Sequence, residues 1–115
     1  MSFLQSLFGP PMPSVSAAEL NEKLKQPKRP LVLDVRQPEE FRTGHIIGAK
    51  LIPLGELGRR LNELPKDKEI VCVCASGSRS SSATKILLNA GYNAVNMKGG
   101  MLTWSHAGLS MKQGG

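Results

Sequence analysis

Apolar residues in this chain fall into short runs, some interrupted by one or two polar residues, separated by stretches with helical spacing. The runs have the length and composition of strands buried on both faces, and they lie at residues 31–35, 49–52, 70–73 and 93–97. Helical spacing is clearest after the third run, at Ala83, Ile86, Leu87 and Ala90. The alternation predicts a single three-layer α/β domain with an about five-stranded parallel sheet flanked by helices on both faces.

Prolines and glycines mark the boundaries of this domain. Residues 1–13 contain Gly9 and three prolines, which resist regular structure, so they are predicted to form an N-terminal arm. Ser16 and Glu19 fit a capping box that opens the first helix. The folded domain is expected over residues 14–110, followed by a flexible tail over 111–115.

Candidate chemistry is concentrated after the run at 70–73. Cys74 lies where a parallel strand would end, which is the edge at which open α/β sheets bind ligands. The next four residues are small, so inward-facing backbone N–H groups could form an anion-binding concavity there. The following helix and Arg79 add positive charge. We therefore predict a reactive thiolate at Cys74, with anion contacts from Ala75, Ser76, Gly77, Ser78 and Ser80.

Two of these predictions concern particular roles. Ser80 is expected to be the N-cap of the helix, because serine favours that position. Arg79 is expected to face an anion, because a cation at a helix start is otherwise disfavoured by the helix dipole. Cys72, two residues before Cys74 among apolar neighbours, is expected to pack in the core rather than act as a second thiol.

Composition narrows the remaining function classes. The 115 residues carry a net charge of +6, but few aromatic residues and no dense basic run, which argues against nucleic-acid binding. No apolar run is long enough to span a membrane. Two cysteines spaced two apart give poor disulfide geometry, and with His45 and His106 they form no zinc pattern. A reducing cytoplasm is the expected location, and nothing in the composition predicts the oligomeric state.

Four sequence blocks together resemble the single-domain rhodanese-type sulfurtransferases. The first is Cys-x-x-Gly-x-Arg-Ser, which begins at Cys74. The others are Asp34-Val35-Arg36 with Pro38-Glu39-Glu40-Phe41, Gly44-His45-Ile46-Ile47-Gly48-Ala49 with Pro53, and Gly99-Gly100-Met101 with Trp104. The resemblance covers about residues 14 to 108.

This resemblance implies a mechanism and a set of supporting residues. A sulfane sulfur would pass from thiosulfate or a persulfide, through a Cys74 persulfide, to cyanide, a thiol or a sulfur-carrier protein, with no metal or organic cofactor. Asp34 is expected to brace the loop and Arg36 to pair with Glu40, with substrate contact as the second possibility for both. Ala75 and Ser76 replace the basic residues common in thiosulfate-preferring members, which favours a persulfide donor.

Two other functions remain open from the sequence. Phosphatases and arsenate reductases of similar fold use a Cys-x5-Arg loop, but here only four residues separate Cys74 from Arg79. The shorter loop suits a single sulfur atom better than a phosphoryl group. The other alternative is a non-enzymatic persulfide-carrying or signalling module, which the apolar arm could help to dock. Trp104 could cap the pocket or fill the core.

Overall fold

The middle layer of the fold is a parallel sheet in the order β1-β5-β4-β2-β3, seen in a computed structural model that describes residues 12–115. The strands are β1 (Ser14–Val15), β2 (Leu31–Asp34), β3 (Lys50–Leu51), β4 (Ile70–Val73) and β5 (Ala94–Met97). The predicted three-layer α/β fold is therefore confirmed. All but two residues of the predicted N-terminal arm lie outside the described residues.

Within residues 12–115, five helices cover the sheet: α1 (Ala17–Lys23), α2 (Pro38–Thr43), α3 (Leu54–Leu57), α4 (Ser78–Asn89) and α5 (Gly100–His106). The capping box at Ser16 and Glu19 opens α1 as expected. The leucine-rich stretch from Leu54 to Leu64 does not form one helix. It forms α3 and then a separate 3-10 turn, Leu61–Glu63.

Strand β4 lies at the centre of the sheet and is buried on both faces, each of its residues being 0 % exposed. Because side chains alternate along a strand, Cys72 shares one face with Ala83 and Leu87 of α4. Val71 and Val73 face the opposite layer, where α1 and α5 pack. The central position of β4 fixes the loop that follows it between two apolar layers.

The C-terminal segment is bound to the domain in place of the flexible tail expected from the sequence. His45 and Lys112 form an antiparallel bridge in which the backbone nitrogen-to-oxygen distances are 3.0 and 2.8 Å. The Gly114 N–H donates to the Arg42 carbonyl. Trp104 is 1 % exposed and fills the core, with its Nε1 donating to the Ser110 carbonyl. These contacts bring Met111 close to Gly44.

Candidate active site

The loop after β4 points two backbone N–H groups at the sulfur of Cys74. The donor nitrogens of Gly77 and Ser80 lie 3.1 and 3.2 Å from Sγ. Gly77 has φ of +104° and is the N-cap of α4, so the helix begins at Ser78. The predicted role of Ser80 as N-cap is therefore wrong, because the N-cap lies three residues earlier, at Gly77, and the helix carries Ser80 in its first turn.

Hydrogen bonding lowers the pKa of Cys74 below its ordinary value in spite of burial. Burial alone raises the pKa, since the residue is 1 % exposed and a charged sulfur is poorly solvated there. The Ser80 hydroxyl and the N–H groups of Ser80, Gly77 and Ser76 outweigh this effect. By contrast, burial raises the pKa of Cys72 to about 11, so Cys74 is the more readily ionised of the two thiols.

A buried polar network behind Cys74 involves a residue that the sequence did not single out. The Ser80 hydroxyl oxygen lies 3.3 Å from Sγ and 2.6 Å from Oδ1 of Asn96 on β5. The Asn96 amide nitrogen also contacts the Gly77 carbonyl at 3.3 Å. Because Oδ1 can only accept, the single hydroxyl hydrogen of Ser80 lies on this short bond while Cys74 is a thiol. The available signal was a polar residue inside an otherwise apolar strand.

We expect this network to make the Cys74 pKa depend on Asn96. When the thiolate forms, the Ser80 hydroxyl has to turn from Asn96 toward the sulfur, so a stronger acceptor at residue 96 opposes ionisation. We expect Asn96→Asp to raise the Cys74 pKa by about one unit, so that the ionised fraction of Cys74 at neutral pH falls about tenfold. The pH dependence of Cys74 alkylation by iodoacetamide, followed by peptide mass spectrometry, measures this shift. Asn93→Asp makes the same charge change at an exposed residue and should leave the pKa unchanged. Equal pKa values in the two variants would contradict the proposed competition.

Arg79 is held by a carboxylate rather than left open to an anion. Its Nη1 and Nη2 lie 2.8 and 2.9 Å from the two oxygens of Glu40, a bidentate pair. The Arg79 side chain lowers the Glu40 pKa to about 2. The predicted pairing of Arg36 with Glu40 is therefore wrong, because Glu40 is already used by Arg79.

Arg36 instead pairs with Asp34, two residues before it. The Arg36 backbone N–H, Nε and Nη2 all donate to the Asp34 carboxylate, and Nη2 also donates to the Gly44 carbonyl. Both residues are buried, since Asp34 is 1 % exposed and Arg36 is 5 % exposed. Asp34 makes no hydrogen bond to the Cys74 loop among the described residues, so the loop is not braced by this carboxylate.

The start of α5 holds the Cys74 loop from the other side. The Met101 N–H donates to the Cys74 carbonyl at 2.8 Å, and the Leu102 N–H donates to the Ala75 carbonyl at 3.0 Å. Ser76 and Ser78 are exposed on the outer side of the loop. The structure thus places Gly77 and Ser80 at the sulfur, while the Asp34–Arg36 pair makes no hydrogen bond to it.

Residues 12–115 contain neither a membrane-spanning helix nor a metal-binding cluster. None of the helices in this range has the length and apolar character needed to cross a bilayer. The same range holds no group of three or more histidine, cysteine, aspartate or glutamate residues that could bind a metal ion.

The fold and the loop together define a class of α/β domain in which a cysteine at a strand end is ringed by backbone amides. The model of the rhodanese-like domain matches residues 16–107. The chain is 39% identical over 90 residues to the putative sulfurtransferase YtwF of Bacillus subtilis, covering 78% of this chain and 87% of the relative. A sulfurtransferase of Allochromatium vinosum is 34% identical over 96 residues, covering 83% and 90%.

A solved structure gives the same result. The rhodanese-related protein of Thermoplasma volcanium superposes with a TM-score of 0.82 at 36% identity, covering 87% of this chain and 97% of that one. The chain belongs to the rhodanese-like domain family, and the resemblance inferred from the four sequence blocks is confirmed.

Proposed function

We propose that the protein is a sulfurtransferase in which Cys74 carries a sulfane sulfur as a persulfide. The observation that supports this most directly is the pair of N–H groups aimed at Sγ, with donor nitrogens at 3.1 and 3.2 Å. Such donors stabilise a thiolate, and they can stabilise it again when it leaves a persulfide. No metal or organic cofactor is needed for either step.

The reaction proceeds by two displacements at one sulfur atom. The Cys74 thiolate attacks the outer sulfur of the donor, a bond forms between Sγ and that sulfur, and the donor's sulfur–sulfur bond breaks. The leaving group is sulfite from thiosulfate or a thiolate from an organic persulfide. A nucleophilic acceptor such as cyanide, a thiol or a sulfur carrier then attacks the terminal sulfur. The Sγ–S bond breaks and the Cys74 thiolate is regenerated.

An organic persulfide is the donor class that we favour. Thiosulfate carries an anionic sulfonate end that a free cation would bind well, but Arg79 is occupied by Glu40 on both sides of its fork. Ala75 and Ser76 add no positive charge to the loop. A persulfide requires only that its terminal sulfur reach Cys74.

The same ion pair argues against phosphoryl transfer. A phosphatase loop needs its arginine free to hold the equatorial oxygens of a phosphoryl group. Here the guanidinium of Arg79 is bound bidentately by Glu40, and the loop is one residue shorter than the Cys-x5-Arg pattern. Sulfur transfer needs neither a free arginine nor the longer loop.

Mass spectrometry of the intact protein tests the proposal. After exposure to glutathione persulfide, the wild-type protein should gain about 32 Da, one sulfur atom, on the peptide that contains Cys74. Cyanide should remove this mass and release thiocyanate. Cys74→Ala should show no gain, whereas a gain that persists in this variant would overturn the assignment. Loading with repeated thiocyanate release indicates an enzyme, and loading without turnover indicates a persulfide carrier.

A further inference from the structure

A groove of about 720 Å³ opens at the end of the sheet opposite to Cys74. Two loops form it: residues 27–30 lead into β2, and residues 65–69 lead into β4. Because β2 and β4 are adjacent parallel strands, the two loops lie side by side, and the Leu31 N–H donates to the Glu69 carbonyl at 2.9 Å. Cys74 follows the other end of β4, so the length of that strand, about 13 Å, separates the two ends.

Basic side chains without an acidic partner are concentrated around this groove. All fifteen lysines and arginines lie within residues 12–115, where seven form salt bridges and eight do not. Four of these eight are exposed residues of the two loops: Lys28, Arg29, Lys66 and Lys68. Lys66 donates to the Ala90 carbonyl, and the other three line the groove.

The acids of the same loops offset only part of this positive charge. Glu69 is already neutralised by Lys23, whose Nζ lies 2.9 and 3.1 Å from the two carboxylate oxygens. Asp67 is exposed and forms no salt bridge within residues 12–115. The groove is therefore positively charged, with three cations on its walls and one acid that no cation holds.

A side recess adjoins the groove and adds apolar side chains to it. Arg29, Pro30 and Lys68 line both spaces, so the recess, which has a volume of about 120 Å³, continues from the groove. The recess is also lined by four aliphatic residues: Leu24, Leu31, Val32 and Ile47. Ile47 is 58 % exposed, so its side chain has apolar surface available for contact.

An extended acidic peptide fits both the shape and the chemistry of this surface. Carboxylates of such a segment can pair with Arg29 and Lys68, while an aliphatic side chain of the same segment contacts Ile47. Prolines at 27, 30 and 65 restrict the backbone of the two loops, so little conformational entropy is lost when a peptide binds.

A membrane or a nucleic acid fits this surface less well. The cations surround a recess rather than a flat face, and the exposed Asp67 among them repels a uniformly anionic surface. A peptide can place its few carboxylates away from Asp67. No residue that lines the groove or the side recess is aromatic, so nucleic-acid bases have no side chain on which to stack.

We propose that this surface docks an acidic segment of a partner protein, with its carboxylates on Arg29 and Lys68 and an aliphatic side chain against Ile47. The docked segment occupies the end of the sheet away from Cys74 and leaves the Cys74 loop uncovered. The proposal does not depend on the sulfur transfer proposed above. It adds a position at which the protein is held by a partner while its thiol stays accessible.

A peptide of four glutamates followed by leucine tests the proposal by NMR titration of the ¹⁵N-labelled protein. It should bind with a Kd on the order of 10⁻⁵ M at low salt and shift the amides of Arg29, Ile47 and Lys68. The amides of Ala75 and Gly77 should not shift. A matched peptide with glutamine in place of each glutamate should bind at least about tenfold more weakly, because it lacks the charges that the groove binds.

A matched pair of variants locates the site. Lys68→Glu reverses a charge that borders both the groove and the side recess, and it should weaken binding of the acidic peptide at least about tenfold. Lys85→Glu makes the same change at an exposed lysine of α4 that lines neither space, and the Kd should stay within about twofold. Both positions are exposed, so both variants should fold, which circular dichroism checks.

Ile47→Ala tests the apolar contact separately. It should weaken binding of the peptide that ends in leucine about threefold and leave binding of a peptide that ends in glycine unchanged. Equal affinity for the glutamate and glutamine peptides, or equal effects of Lys68→Glu and Lys85→Glu, would overturn the proposal. Tighter binding of phosphatidylserine vesicles or of a short single-stranded RNA would overturn it in favour of a membrane or a nucleic acid.

Alkylation of Cys74 tests where the peptide lies relative to the thiol. Iodoacetamide should modify Cys74 at the same rate with and without saturating acidic peptide, because the peptide binds at the other end of the sheet. Protection of Cys74 by the peptide would contradict the proposed location. Because none of these measurements requires sulfur transfer, the docking proposal and the sulfurtransferase proposal can fail separately.

Discussion

Replacing Cys74 with serine is expected to reduce sulfur transfer to the rate seen without protein, a loss on the order of 10⁴-fold in kcat/KM. A serine hydroxyl hardly ionises near neutral pH and forms no persulfide, whereas it can still accept the N–H groups of Gly77 and Ser80. The fold should therefore survive the substitution. Initial rates of thiocyanate formation from a sulfane donor and cyanide measure the effect, and circular dichroism checks the fold.

Cys72 provides the matched control for this prediction. It lies on the same face of β4 as Cys74, but it is 0 % exposed and burial raises its pKa to about 11. Cys72→Ala should leave kcat/KM within about twofold of the wild-type value, because a thiol that stays protonated contributes no nucleophile. A large loss of activity in a folded Cys72→Ala protein would indicate that sulfur passes through both cysteines.

Gly100→Ala is the second substitution with a large expected effect, and it acts on stability. Gly100 has φ of +59°, and a Cβ there would lie 2.4 Å from the Cys74 carbonyl oxygen and 2.5 Å from the Ala75 carbonyl. The backbone at Gly100 and the backbone at Cys74 and Ala75 would have to move apart. We expect a loss of about 2–4 kcal/mol in the free energy of unfolding, measured by urea denaturation.

Gly108→Ala separates the steric part of this effect from the conformational part. Gly108 has a similar φ of +69°, but a Cβ there would meet nothing within 4 Å. It should cost only the conformational penalty of a left-handed residue, about 1–2 kcal/mol. In addition, Gly100→Ala should slow alkylation of Cys74 and Gly108→Ala should not, because only the first displaces the catalytic loop. Equal losses in both variants would mean that the close approach at Gly100 does not matter.

The sheet and the position of the Cys74 loop could be predicted because their signals are local. The apolar run at 70–73, the small residues after Cys74 and the helical spacing from Ala83 onward are all read within one stretch of about twenty residues. Strand β1 was harder to recognise, because two residues at an edge carry too little pattern to be distinguished from a loop.

The partners of the charged residues could not be predicted in this way. Glu40 and Arg79 are 39 positions apart, and only the packing of α2 beside α4 decides that they meet. Because Arg79 binds Glu40, Arg36 pairs with Asp34 instead. Similarly, the bond between Ser80 on α4 and Asn96 on β5 depends on α4 packing against β5, which the sequence of neither element reveals.

The depth of the Cys74 sulfur has a consequence for selectivity. With 1 % of the residue exposed, the nucleophile can be approached only by a slender group. The end atom of a persulfide has no substituent on its far side, whereas each bridging sulfur of a disulfide is flanked by a carbon chain. If Cys74 transfers sulfur as proposed, its recessed position is expected to favour attack on terminal sulfur over bridging sulfur, and to slow the formation of mixed disulfides at Cys74.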